Sequence, residues 1–119
     1  MIVVDAANVV GSRPDGWWRD RAGAARGLVV SVRDAARAGR VAAPVVIVLE
    51  GEARDGVAEG TEAGVEVVHA SAHGDDRIAE VVLAGPGRVV LVSADRGLRA
   101  RVAGPTVETV GPSWLLDRL

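Results

Sequence analysis

The chain contains no cysteine, no lysine, no phenylalanine and no tyrosine. Without cysteine, neither a disulfide framework nor a thiolate metal site can form. All fourteen basic residues are arginine, which excludes a Schiff-base or nucleophilic lysine and the lysine of a phosphate-binding loop. The missing phenylalanine and tyrosine leave the core to aliphatic side chains, against which the three tryptophans stand out. No apolar run approaches the length of a membrane span, and no basic segment leads into an apolar one at the amino end. The expectation is therefore a soluble, cytoplasmic protein with no membrane partner. Strong positive charge is also absent: the formal net charge is −2, which argues against a protein that coats nucleic acid nonspecifically.

What is present fits a single domain over residues 1–119, long enough to bury roughly two-thirds of its unfolded surface without covalent staples. The abundance of Ala, Val, Gly and Arg reads as the imprint of a GC-rich bacterial genome. Ile2-Val3-Val4 forms a short apolar run suited to a buried strand, and Asp5-Ala6-Ala7-Asn8 follows it directly. Ser12 to Gly16 reads as a turn, and Trp17 to about Arg37 carries helical spacing through Leu28, Val29, Val32, Ala35 and Ala36. Gly39 is its stop. Val45 to Leu49 is a second strand, apolar at every position and ending in Glu50-Gly51-Glu52.

Residues 51–64 lack a clear period and read as a mobile loop. Val65 to His69 is a third, marginal strand toward the sheet edge, and Asp75 to Ala84 a helix with two acids at its start. Gly85-Pro86-Gly87 breaks that helix before a fourth strand, Val89 to Val92, which runs into Ser93-Ala94-Asp95. A helix from about Arg96 to Ala103, a turn at Gly104-Pro105, a fifth strand at Val107 to Val110 and a terminal helix from Pro112 to Leu119 complete the chain. Strands alternating with helices give an α/β fold of Rossmannoid type, with a mostly parallel, about five-stranded sheet and right-handed crossovers.

The acids carry the functional signal. Asp5, Glu50, Asp75 and Asp95 each follow a strand or open the helix just after one, and parallel topology puts them all on the edge where α/β sheets bind ligands. Carboxylates gathered there without a lysine repel one another unless a cation sits between them. Hard oxygen ligands suit Mg²⁺ or Mn²⁺, which commonly bridges to phosphate and activates water. Helix capping explains Asp75 and Asp76 equally well. The placement of Asp5 and Asp95 on neighbouring strand ends favours function. Glu50 competes with Glu52 and Asp55 in the same loop.

Three short motifs share an order and spacing with a known family. Val4-Asp5-Ala6-Ala7-Asn8-Val9, Gly74-Asp75-Asp76-Arg77-Ile78 and Val92-Ser93-Ala94-Asp95-Arg96 together resemble a PIN-like nuclease domain of the NYN group and its bacterial YacP-like relatives. The resemblance implies a three-layer α/β/α sandwich in which acids bind Mg²⁺ or Mn²⁺ and RNA phosphodiesters are hydrolysed. Carried over by position, Asp5, Asp75 and Asp95 would be the metal-binding acids, with Glu50 and Asp76 as further candidates. Asn8 and Ser93 would orient a water or a phosphate. Gly97 stands where many members have a second acid, Ala6 replaces a frequent glycine, and the 51–64 loop lacks the basic residues expected for gripping RNA.

Arg13, Trp17, Trp18, Arg19 and Arg21 follow the first motif. Arginine for phosphate and tryptophan for base stacking would make a single-strand platform. The plainer expectation is one ring in the core, one exposed, and solvated arginines, because neighbouring helix positions point about 100° apart. Trp114 reads as packing or a homodimer contact. Arg96 and Arg99 either face a phosphate or lie on a solvated helix face. His69 and His73 are weak candidates for a zinc pair, and His73 for a general base. Beside the ribonuclease reading stand two others: a metal-dependent hydrolase of nucleoside triphosphates using the same acids, and a PIN-like module that binds RNA or protein without cutting. A toprim site would need a second acid where Ser93 stands, and a receiver domain would need a lysine.

Overall fold

The computed structural model describes residues Met1–Leu119. Its centre is a six-stranded sheet built from β1 (Ile2–Asp5), β2 (Val45–Leu49), β3 (Gly60–Glu62), β4 (Val65–His69), β5 (Val89–Val92) and β6 (Val107–Val110), in the order β3-β4-β2-β1-β5-β6. Every pairing is parallel except β3 with β4. The α-helices are α1 (Ala6–Gly11), α2 (Arg21–Arg37), α3 (Gly74–Ala84), α4 (Arg96–Val102) and α5 (Pro112–Leu116), with 3-10 turns at Trp17–Arg19 and Gly51–Gly56.

Because successive strand residues point to opposite faces, β1 and β2 feed two cores at once. Ile2, Val4, Val45, Ile47 and Leu49 pack with Val9 of α1, Leu28, Val29 and Val32 of α2 and Leu115 of α5. Val3, Val46 and Val48 pack on the other face with Ile78 and Val82 of α3 and Leu98 and Val102 of α4. The result is the three-layer α/β/α sandwich expected. Strands this apolar have no face to give to water, which is why both sides are roofed by helices.

The chain runs from β1 through α1 and α2 to β2 on one side of the sheet. It then passes from β4 through α3, on the other side, to β5 next to β1. Strand order reverses between β1 and β5, so the crevice at their carboxyl ends is the topological switch point. Asp5 ends β1 and Ser93 follows β5.

Several expectations are corrected. The segment 51–64 is not a structureless loop. A 3-10 turn places Ala53 and, after it, Val57 against the core, and Gly56 lies against the Ala22 carbonyl with no room for a Cβ. The segment then forms β3, making six strands instead of five, so β4 is an inner strand and not the edge. The β3–β4 hairpin turns on Ala63 and Gly64, both at positive φ (56° and 74°), the geometry that suits the right-handed twist of paired strands.

The helix expected from Trp17 starts at Arg21. Asp20 interrupts it by accepting a bond from Gly23 N–H (2.8 Å) as N-cap, and the tryptophans are left in a separate turn. Its end is as expected: Gly39 adopts φ 78°, with Gly39 N–H bonded to Ala36 O (3.1 Å) and Arg40 N–H to Ala35 O (2.8 Å), a Schellman closure. The terminal helix stops at Leu116 rather than Leu119. No helix is long and apolar enough to cross a membrane.

Candidate active site

Asp5 is the best-anchored acid. As the last residue of β1 it also caps α1, its Oδ1 accepting from Asn8 N–H at 3.3 Å. Its Oδ2 accepts from the Ser93 hydroxyl at 2.8 Å. Both residues are buried, Asp5 to 6% exposure and Ser93 completely. The Ser93 oxygen in turn accepts from Asp95 N–H at 3.1 Å. Ser93 therefore connects two acids across neighbouring strand ends, and its own backbone is pinned on both sides. Its N–H donates to Val110 O (2.9 Å), and its carbonyl accepts from Arg99 Nε (2.5 Å).

Asn8 makes a second bridge between the same loops, its side-chain oxygen accepting from Ala94 N–H at 2.8 Å. Asp95 opens α4, with Oδ1 accepting from Leu98 N–H at 2.9 Å. Glu50, just beyond β2, reaches to the start of α3 and accepts from Gly74 N–H at 2.7 Å. His73 offers α3 no side-chain cap, so Glu50 takes that place from another strand. A Cβ on Gly74 would sit 2.8 Å from the Glu50 carboxyl carbon, so any other residue there would force the end of the Glu50 side chain to shift.

Burial pushes the Asp5 carboxyl up from its ordinary range. The Ser93 and Asn8 hydrogen bonds oppose this, while the charges of Asp75 and Glu50 add to it. Asp75 is also raised, by partial desolvation and then by the charges of Asp95 and Glu50, with Arg101 pulling the other way. Asp75 stands on the surface, so repulsion from its acidic neighbours is the more telling cause. These mutual influences place Asp5, Glu50, Asp75 and Asp95 in one electrostatic cluster. Asp76 faces elsewhere: its carboxylate pairs with Arg101 at 2.7 Å.

The donor atoms are of the type a hard divalent cation takes. Every nearby charged ligand atom is oxygen, and Asp75 makes no hydrogen bond or ion pair of its own. Neither the second oxygen of Glu50 nor that of Asp95 is committed to a protein donor. No three His, Asp or Glu side chains are gathered so as to enclose an ion by themselves. Mg²⁺ does not require that, because it keeps several waters and meets protein through one or two carboxylates plus substrate phosphate.

The other candidates scatter. Trp17 is half-buried and Trp18 is 53% exposed, so neither ring is in the core. The two meet edge-to-face with centroids 6.0 Å apart, Arg19 lying over Trp18 (5.8 Å) and Arg21 over Trp17 (4.9 Å). Arg13 lies in a different hollow, with Asp15 and Leu28. Arg96 is exposed beside Asp95 without a protein partner. Arg99 does not lie on a solvated face; it is half-buried and holds Ser93. His69 Nε2 is bonded to the Val57 carbonyl at 2.7 Å, which removes that nitrogen from a pair with His73. Trp114 packs against the core under the Arg118 guanidinium, 4.0 Å from the ring. The Glu50–Gly74 cap had no signal in the sequence, since it joins residues 24 apart in the chain, and the Arg99 clasp, although local, ends on a backbone carbonyl that no residue pattern marks.

Fold and switch-point geometry together define a Rossmann-like α/β/α protein with acids gathered at its switch point. Among solved structures, Rae1 (YacP) from Bacillus subtilis, determined as the W164L mutant, matches with a TM-score of 0.69 and 17% sequence identity. The match covers 98% of this chain and 72% of that one, so the likeness of fold runs through all three acidic motifs. No protein-family model and no curated protein matches the sequence.

Proposed function

We propose that this protein is a Mg²⁺- or Mn²⁺-dependent ribonuclease of the PIN-like/NYN kind, related to YacP-like proteins. The observation that carries this reading is Asp5: an acid buried at the switch point, bonded to Ser93 and repelled by Asp75 and Glu50. A carboxylate is kept in such a place at a cost in stability, and function is the usual reason. The fold of Rae1 (YacP) supports it.

Asp5 and Asp75 would hold the cation, with the uncommitted oxygens of Glu50 and Asp95 facing its waters. A bound divalent ion there neutralises phosphate charge and makes water a nucleophile near neutral pH. The chain's own residues position the reactants. Ser93 fixes the Asp5 rotamer, Asn8 holds the Ala94 loop that carries Asp95, and Arg99 locks Ser93. Arg96, free beside Asp95, would meet the phosphate. No protein nucleophile is involved.

The test is cleavage of a labelled single-stranded RNA with Mn²⁺, beside EDTA and an Asp95→Asn control. Metal-dependent cutting that the variant loses is the expected result, and RNA left intact by the wild-type protein overturns the reading. The same preparation is then offered nucleoside triphosphates, because a net charge of −2 suits a small substrate. Hydrolysis there would select the nucleotide hydrolase, and inactivity on both substrates the binding module.

A further inference from the structure

Beside the acids opens a hollow of about 280 Å³ that the catalytic reading does not use. Its walls come from Ala6, Ala7 and Val10 at the start of α1, from Trp17 and Arg21, and from the 3-10 turn at Glu52 and Ala53. Glu50 borders both the hollow and the acidic cluster, so the two are adjacent. The volume falls just under the range of roughly 300–1,000 Å³ typical of drug-sized ligands, which suits one planar ring system and not a whole nucleotide.

The lining is mostly apolar, with three charged side chains, none in an ion pair: Glu50, which is held by the Gly74 amide, and Glu52 and Arg21, which are not so held. Glu52 makes no hydrogen bond or ion pair, and Arg21 makes only its stacking contact with Trp17. The two are not paired with each other, although both line the same space. One offers only acceptors, the other only a planar fork of donors.

We propose that this hollow is a nucleobase pocket selective for guanine, placing that base next to the phosphate held at the acids. The assignment deepens the ribonuclease reading and rests on it for the polymer that carries the base. Guanine presents two adjacent donors, N1–H and the N2 amine, to the Glu52 carboxylate. Its O6 and N7 form the acceptor pair that an arginine fork grips in parallel. Adenine and cytosine turn a ring-nitrogen acceptor toward a carboxylate, and uracil has a single N–H between two carbonyls. The Trp17 ring supplies a stacking wall, which adds affinity without choosing between bases.

The experiment titrates the full chain in EDTA with guanosine, inosine, adenosine, cytidine and uridine, following amide and indole N–H signals by NMR. Guanosine is expected to shift the Trp17 indole and the Gly51–Ala53 amides. Inosine, lacking the N2 amine, should bind several-fold more weakly and the other three at least about tenfold more weakly. Glu52→Gln should weaken guanosine about tenfold and leave uridine unchanged, and Trp17→Leu should weaken all five. Equal affinity for all nucleosides, guanosine binding indifferent to Glu52→Gln, or no shift at these residues overturns the assignment. No chemistry occurs in EDTA, so the two readings fail separately. Guanosine selectivity in a protein that cuts no RNA retains the pocket and removes the ribonuclease, whereas RNA cleavage without guanosine selectivity does the reverse.

Discussion

Replacing Ser93 by alanine removes one oxygen and tests the site at its most buried point. That oxygen donates to Asp5 Oδ2 at 2.8 Å and accepts from Asp95 N–H at 3.1 Å, with Ser93 itself fully buried. A hydrogen bond to a charged group contributes about 1.5–3 kcal/mol, and no water can replace this one easily. The Asp95 amide lies nearer solvent and adds less. With an unfolding entropy of about 2.1 cal/mol/K per residue, each kcal/mol moves Tm by about 4 °C in a chain of this length, so the expected drop is about 6–12 °C at neutral pH.

The pH dependence is the sharper half of the prediction. Asp5 titrates above its ordinary 3.8 when folded, so the folded protein holds that proton more tightly than the unfolded chain. Its contribution to stability is therefore full below 3.8 and is lost as pH rises through the raised value. The Ser93 bond favours the charged form, so its removal raises the folded value further and enlarges that loss. The gap between wild type and Ser93→Ala must be widest above both folded values and narrow as acid protonates Asp5. Thermal and urea unfolding of both proteins from pH 8 downward measures it. A gap independent of pH, or a loss under about 0.5 kcal/mol, would refute the coupling of Ser93 to a charged Asp5.

Three further outcomes follow from the same geometry. Asp75→Asn should reduce RNA cleavage by at least about a hundredfold if it holds the ion, whereas Asp76→Asn, which loses only a pair with Arg101 exposed to solvent, should change it less than about threefold; equal losses in kinetic assays would contradict the separation of the two acids. Mn²⁺ affinity, read by calorimetry, should fall as pH drops through the raised titrations of Asp5 and Asp75, because proton and cation compete for the same oxygens; affinity unchanged toward acid would place the ion elsewhere. Gly74→Ala should cost about 1–2 kcal/mol in urea unfolding, since its Cβ would displace the Glu50 cap, and Glu50→Gln should be milder because the amide oxygen still accepts.

The layers were legible because both β1 and β2 are apolar at nearly every position, a pattern that only a doubly covered sheet accepts. Asp5, Asp75 and Asp95 could be placed at one edge because parallel topology sends every strand end the same way. The hairpin at β3 was hidden because its turn uses Ala63 where Asn, Asp or Gly would have announced it, and β3 itself is wholly exposed. Its anchors are Arg33 and Arg37 on α2, reaching Glu62 at 3.5 and 2.7 Å, partners too far apart in the chain for any local pattern. The short α1 was missed for a related reason: one and a half turns carry no period, and only the Asp5 cap marks the start. The same distance effect concealed the division between Asp75 and Asp76, which depends on Arg101 of α4.

The amides that hold the acids have a consequence of their own. Asn8, Gly74 and Leu98 each donate from the first turn of a different helix, α1, α3 and α4, to Asp5, Glu50 and Asp95. Peptide dipoles give such amides a partial positive charge. In a chain without lysine, the countercharge among these carboxylates is thus written in backbone. Unlike a lysine ammonium it does not titrate in alkaline solution, and a substitution removes it only by pushing the carboxylate away, as a Cβ at Gly74 would, or by removing the amide hydrogen, as proline would.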